Sequence, residues 1–63
     1  MTIEEERKEA ERKAWDSLSR YKFMMFGYWA GLWVHLNRLC NNKAPNPFKS
    51  FVEMARRHKI DHL

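Results

Sequence analysis

Basic and aromatic side chains alternate in the middle of this 63-residue chain, where together they could hold an anionic ligand that carries a ring. Bases stand before and after the aromatic segment 23–36. Guanidinium and ammonium groups bind phosphate oxygens, and aromatic faces stack on nucleobases. The candidate ligand-binding residues are Arg20, Lys22, Tyr28, Trp29, Trp33, His35, Arg38 and Lys43.

The same residues also have simpler interpretations. Each tryptophan or tyrosine could pack in a core that the bases merely flank, and His35 could be an interface histidine. A second basic cluster, at residues 56–59, either suits the negative end of a helix dipole or contacts phosphates. The sequence alone leaves these alternatives open.

Catalysis and metal binding have little support in the sequence. His35 and Cys40 are five residues apart, which does not place them face to face on a helix, and the apolar segment holds no carboxylate. His58 and His62 have the spacing of two metal ligands on one helix face, but they lie near the chain end, where chains fray. We therefore predict no enzyme activity, no metal site and no cofactor.

The chain is short for the amount of apolar surface that it carries. A domain of this size buries only about 60% of the surface that its unfolded chain exposes. Small domains commonly need disulfides, a metal or a partner, and the single cysteine, Cys40, excludes an intramolecular disulfide. A chain with one cysteine suits a reducing compartment, so we expect it in the cytoplasm.

Charge is distributed unevenly along the chain. Residues 1–16 hold six acids and four bases, whereas residues 17–63 hold two acids and eight bases, so the net charge of +4 divides into −2 and +6. This division favours anionic partners, or head-to-tail pairing of like chains.

Hydrophobic spacing predicts one long helix over about residues 3–40. Residues 2–5 fit a capping box at its start, and the Asn- and Pro-rich segment 41–46 predicts a turn. Gly27 and Gly31 interrupt the pattern at a cost of about 1 kcal/mol each, and we expect any bend there. The heptad positions are Ala14, Leu18, Tyr21, Met25, Tyr28, Leu32, His35 and Leu39.

A second, shorter helix is predicted over about residues 47–59. Asn46 suits the N-cap and Pro47 the first helical position. The apolar positions with helical spacing are Phe48, Phe51, Val52 and Ala55. The predicted fold is therefore a single all-α domain, residues 1–63, in which a helical hairpin of one long and one short helix assembles into a homo-oligomeric helical bundle.

The short helix cannot cover a longer one that is apolar on every side, so we expect a cover from outside the chain. A second copy is favoured over a different protein. A bilayer span is disfavoured, because a spanning helix needs about 20 apolar residues and only fifteen positions separate Lys22 from Arg38. A helix in the membrane interface is slightly more favoured than a span. Gly27 and Gly31 form a small-xxx-small motif that lets helix backbones approach closely. The predicted oligomer interface is Leu18, Tyr21, Met25, Gly27, Gly31, Leu32 and Leu39.

The run SRYKFMMFGYWAGLWVHLNRL, followed by PNPF, resembles small helical proteins encoded by bacteriophages and prophages. The resemblance covers roughly residues 15–48 and rests on general character, so no functional residue is carried over from it. It implies a non-enzymatic role in the cytoplasm of a bacterial host, where many such accessory proteins bind and neutralise a host component. Some are helical oligomers that sequester nucleotide signals of bacterial immunity, and others are inhibitors that dock on a host nuclease complex.

These observations together predict a small homo-oligomeric binding protein that sequesters an anionic nucleotide-type ligand and so counters host defence. One alternative is an inhibitor whose aromatic surface docks on a host defence protein. Another is a small nucleic-acid-binding protein that uses the basic second helix.

Overall fold

The chain folds into three α-helices in the computed structural model, which describes residues 2–61 and the side chains of residues 2–59. The helices are α1, Ile3–Ser19; α2, Phe23–Leu39; and α3, Lys49–Asp61. No strand occurs in this part of the chain, which confirms the predicted all-α class. The homo-oligomeric assembly stays a prediction.

The first helix begins at the predicted cap. The Thr2 hydroxyl oxygen accepts a hydrogen bond of 3.1 Å from the backbone N–H of Glu5, which satisfies one of the donors that a helix start leaves free. Further along, the hydrogen bond from Arg12 lowers the pKa of the Glu9 carboxyl. The contribution of this pair to stability is therefore lost as the pH falls through the lowered pKa, and it is small because the pair is exposed.

The prediction of a single helix over residues 3–40 is wrong, because the chain reverses at residues 20–22. The backbone N–H of Lys22 donates to the carbonyl of Ser17 at 2.9 Å, and that of Tyr21 donates to Leu18 at 3.1 Å. These two bonds form a Schellman motif, with Tyr21 in the left-handed conformation at φ 61°. The helices that flank so short a turn pack side by side as an antiparallel pair.

The two glycines do not interrupt a helix, and a bend near them stays a prediction. Gly27 and Gly31 lie inside α2, and a Cβ atom at either position would meet nothing within 4 Å. The chain turns instead where no glycine or proline marks a turn. The energy of packing α1 against α2 offsets the local cost at Tyr21.

The core lies between α1 and α2 and is closed at one end by Phe48. From α1 it takes the small side chains of Ala10 and Ala14, and from α2 the larger Trp33 and Leu36. Small residues on one helix let the other approach closely, and all five side chains are buried.

The start of the third helix anchors it to this core. The side-chain oxygen of Asn46 accepts a hydrogen bond of 2.8 Å from the backbone N–H of Phe48, and α3 begins at Lys49, two residues later than predicted. The Phe48 ring lies 5.1 Å from Trp15 and 6.1 Å from Trp33, centroid to centroid. Beyond this anchor α3 is exposed along residues 49–59, so it covers less of α2 than expected.

A buried arginine ties the loop after α2 to the first helix. Nη1 of Arg7 donates at 2.8 Å both to the side-chain oxygen of Asn37 and to the carbonyl of Asn42. Asn37 in turn bonds both backbone groups of Ala44, accepting at 2.9 Å and donating at 3.2 Å. The network fixes the path of the chain from α2 to α3. Cys40, the C-cap of α2, is also buried.

Replacement of Tyr21 by glycine should stabilise the fold. A non-glycine residue in the left-handed region costs the folded state about 1–2 kcal/mol. Glycine removes this cost, but its greater conformational entropy also stabilises the unfolded chain by about 0.4–1 kcal/mol, which offsets part of the gain. We therefore expect Tyr21→Gly to raise the free energy of unfolding, measured by urea denaturation, by about 0.5–1 kcal/mol. Lys22→Gly is the matched control, because φ is −89° there, and it should destabilise. Equal losses of stability in the two variants would contradict the left-handed conformation of Tyr21.

Loss of the Asn37 side chain should cost far more than loss of a neighbouring one. Asn37→Ala leaves Arg7 short of an acceptor and both backbone groups of Ala44 unpaired, so we expect about 2–3 kcal/mol of destabilisation in urea. Asn41 is exposed, and Asn41→Ala should change the free energy of unfolding by less than about 0.5 kcal/mol. Similar values for the two variants would refute the network.

Candidate functional site

One side of α2 has no cover from the rest of the chain. The residues on this side are spaced three or four apart and are all exposed. We call this surface the outer face, and its members are Met24, Gly27, Tyr28, Gly31, His35 and Arg38. It lies on the side of the helix that points away from the buried Trp33.

The outer face continues into an apolar tip at the turn between α1 and α2. We define the tip as Tyr21, Phe23 and Met24, which are 83%, 63% and 91% exposed. The rings of Tyr21 and Phe23 meet edge to face at 6.2 Å. With Tyr28, these rings alone expose on the order of 400 Å², which equals a large patch for a monomeric protein.

The charged residues of this region are all basic. Residues 17–52 contain five bases and no acid. The first turn of α2 also has no acidic residue, so the positive end of its dipole is not balanced there. The outer face therefore offers apolar contact in a positive field, which attracts anions.

The predicted bases do not converge within one chain. Lys22 and Arg38 are sixteen residues apart, which corresponds to about 24 Å along a helix. At one end, Arg20 Nε lies 3.6 Å from a carboxylate oxygen of Asp16. At the other end, Lys43 Nζ donates to the carbonyl of Cys40 at 3.2 Å. The structure thus has two basic ends and no single basic pocket.

The three predicted aromatic residues fall into three environments. Trp33 is 3% exposed and belongs to the core. Trp29 is half-buried, with Nζ of Lys13 4.5 Å from its ring centroid. Tyr28 is exposed, and its ring meets that of Trp29 edge to face at 4.9 Å. Of the three, Tyr28 has the ring surface most open to a ligand.

The predicted interface residues are also divided between environments. Leu18 and Leu32 are half-buried beside the α1–α2 core. The other five are exposed and open to a second molecule: Tyr21, Met25, Gly27, Gly31 and Leu39.

Sequence reasoning missed a groove between α2 and α3. Its volume is about 340 Å³, and no charged residue lines it. Phe26, Ala30 and Val34 form its α2 side, and Phe51 and Val52 form part of its α3 side. The apolar spacing of both helices contained the signal, but the angle at which they diverge depends on Phe48.

The basic cluster of α3 lies at the far end of that helix. Arg56, Arg57 and Lys59 are exposed there, so phosphate contact by this cluster stays a prediction. Among the described residues no three potential metal ligands cluster, and His62 lies outside that set. None of the described helices combines the length and the apolar character that a bilayer span requires.

No protein-family model, no curated protein and no solved structure matches this chain.

Alanine substitutions at Trp33 and at Tyr28 should distinguish a core residue from a residue of the outer face. Trp33→Ala removes a buried ring and should cost about 3–5 kcal/mol in urea denaturation. Tyr28→Ala removes an exposed ring and should cost about 0.5 kcal/mol or less when the chain is monomeric. A comparable loss from both variants would mean that Tyr28 is a structural residue.

Proposed function

We propose that the chain is a non-enzymatic binding protein that works as a homo-oligomer and sequesters an anionic nucleotide-type ligand. The observation that carries this proposal is the outer face of α2, which joins exposed apolar side chains to bases in a stretch without acids. Apolar surface of this extent favours a cover, and the surrounding bases favour an anionic one.

Tyr28 is the proposed stacking residue. Its ring is 64% exposed and leans on Trp29, while Lys13 packs over the Trp29 ring. These contacts restrict the Tyr28 ring before a ligand arrives, which lowers the entropy cost of binding. His35 follows two turns later on the same face and provides a polar edge.

Arg38 is the proposed phosphate contact at the end of the outer face. It is exposed and makes no hydrogen bond or ion pair with the described residues. A guanidinium in this state can bind two phosphate oxygens without breaking an existing bond.

A second candidate function is docking on a host protein through the tip. The tip is exposed at one end of the helical pair and is flanked by Arg20 and Lys22. Aromatic side chains bordered by arginine are typical anchors in protein interfaces. Both candidates agree with the resemblance to small phage-encoded proteins, which stays a prediction.

Isothermal titration with a panel of cyclic mono- and dinucleotides tests the first candidate. We expect heat from at least one member, and a loss of affinity of about tenfold in Tyr28→Ala and in Arg38→Gln, since stacking contributes about 1–3 kcal/mol per base. Met54→Ala, on exposed α3, should bind as the wild type does.

If no member of the panel binds, the sequestration proposal fails. The tip is then tested by retention of proteins from a bacterial lysate. A protein that is lost from Phe23→Ser but kept by Met54→Ala would favour docking on a host protein.

A further inference from the structure

The two basic ends of α2 meet when a second copy packs antiparallel on the outer face. We propose that the chain forms such a two-fold dimer, and that each of its two anion sites combines Arg20 and Lys22 of one copy with Arg38 and Lys43 of the other. This inference rests on the proposed function and deepens it, because each ligand site then needs two chains.

The two-fold axis is placed by the glycines. Gly31 is the middle residue of α2, which runs from Phe23 to Leu39. Gly31 and Gly27 are exposed, with open space where a Cβ atom would lie. Glycines in this position let two helix backbones approach closely, and antiparallel helix dipoles attract each other.

The register follows from that axis. Gly27 of one copy lies opposite His35 of the second copy, and Met24 lies opposite Arg38 of the second copy. Lys22 then comes within about one helical turn of that Arg38, whereas it is about 24 Å from the Arg38 of its own chain.

The exposed apolar surface suits a weak pairing, which a bound anion would have to strengthen. The exposed area of the Tyr21, Phe23 and Tyr28 rings amounts to about half of the roughly 800 Å² that one partner contributes to a standard interface. Met24 is also exposed and lies on the outer face itself. A second copy is the preferred occupant of the outer face, because a single two-fold rotation both covers these side chains and brings a basic end of one copy to a basic end of the other.

Charge makes the dimer dependent on its ligand. Each site would hold four bases against one acid, because Asp16 lies 3.6 Å from Arg20 Nε, so the bases stay in excess. The bases repel each other until an anion binds between them, so binding and dimerisation are linked. An anion should therefore tighten the dimer, and the affinity for the anion should rise with protein concentration.

Charge reversal at the two ends tests the arrangement by sedimentation velocity at low ionic strength, with and without inorganic tripolyphosphate. We expect tripolyphosphate to tighten the wild-type dimer by about tenfold or more. Lys22→Glu and Arg38→Glu each place a carboxylate beside a base of the second copy, so each variant should dimerise more tightly than the wild type without tripolyphosphate. Each should also respond to tripolyphosphate less, since three of the four bases remain in each site.

The double variant Lys22→Glu/Arg38→Glu supplies the sharpest outcome. Alone it should be more weakly associated than either single variant, because acids then face acids. Mixed with the wild type it should form a heterodimer without any anion. Arg56→Glu/Arg57→Glu has the same change of charge on α3 and should not pair with the wild type in this way.

Gly31→Gln tests the close approach. A Cβ atom at this position meets nothing within 4 Å and glutamine favours a helix over glycine, so unfolding should occur at an equal or higher urea concentration while dimerisation is lost. Ser50→Gln, on exposed α3, should dimerise normally.

A wild type that stays monomeric with and without tripolyphosphate overturns the inference, as do single variants that associate no more tightly than the wild type. A nucleotide that binds to the monomer without any change in sedimentation would also overturn the inference. It would leave the nucleotide binding of the proposed function standing, but not its homo-oligomer. A dimer that responds to tripolyphosphate while no nucleotide binds would support the dimer and remove the nucleotide.

Discussion

The close packing of α2 on the small side chains of α1 is the interaction on which the rest of the structure depends. Ala10 and Ala14 form a flat strip that is completely covered, and Trp33 is large enough to fill the space above it. Because the helices come so close, Arg7 can reach across to Asn37 and hold the loop that follows. The same packing decides which side of α2 stays outside.

Local signals in the sequence identified some elements correctly. Thr2 caps α1, Asn46 bonds the backbone before α3, and α2 ends at Leu39 just before the Asn- and Pro-rich segment. Each of these depends on chemistry within a few residues. The reversal at Tyr21 does not, because heptad spacing fits both one long helix and two helices folded together, and only their packing decides between the two.

The site was predicted less well than the fold, for a related reason. The segment 23–36 is apolar on every side, so its pattern could not distinguish the buried Trp33 from the exposed Tyr28. The order of the bases along the chain is plain in the sequence, but only the structure shows that Arg20 pairs with Asp16 and that Lys43 bonds the carbonyl of Cys40. Nothing in the sequence distinguishes Arg7 from the other charged residues of segment 1–16, although it is a buried part of the fold.

The third helix meets the others mainly through the rings of Phe48 and Phe51. No Cα atom of α3, over the residues described, comes within 8 Å of a Cα atom of α1 or α2. A segment with so few buried contacts opens at a lower free energy than the global unfolding of the chain. We therefore expect α3 to undock as a unit and swing about Asn46 while the pair of helices beneath it stays folded. Because Phe51 and Val52 line the groove, this undocking would open it beside Gly31, which belongs both to the lining of the groove and to the outer face.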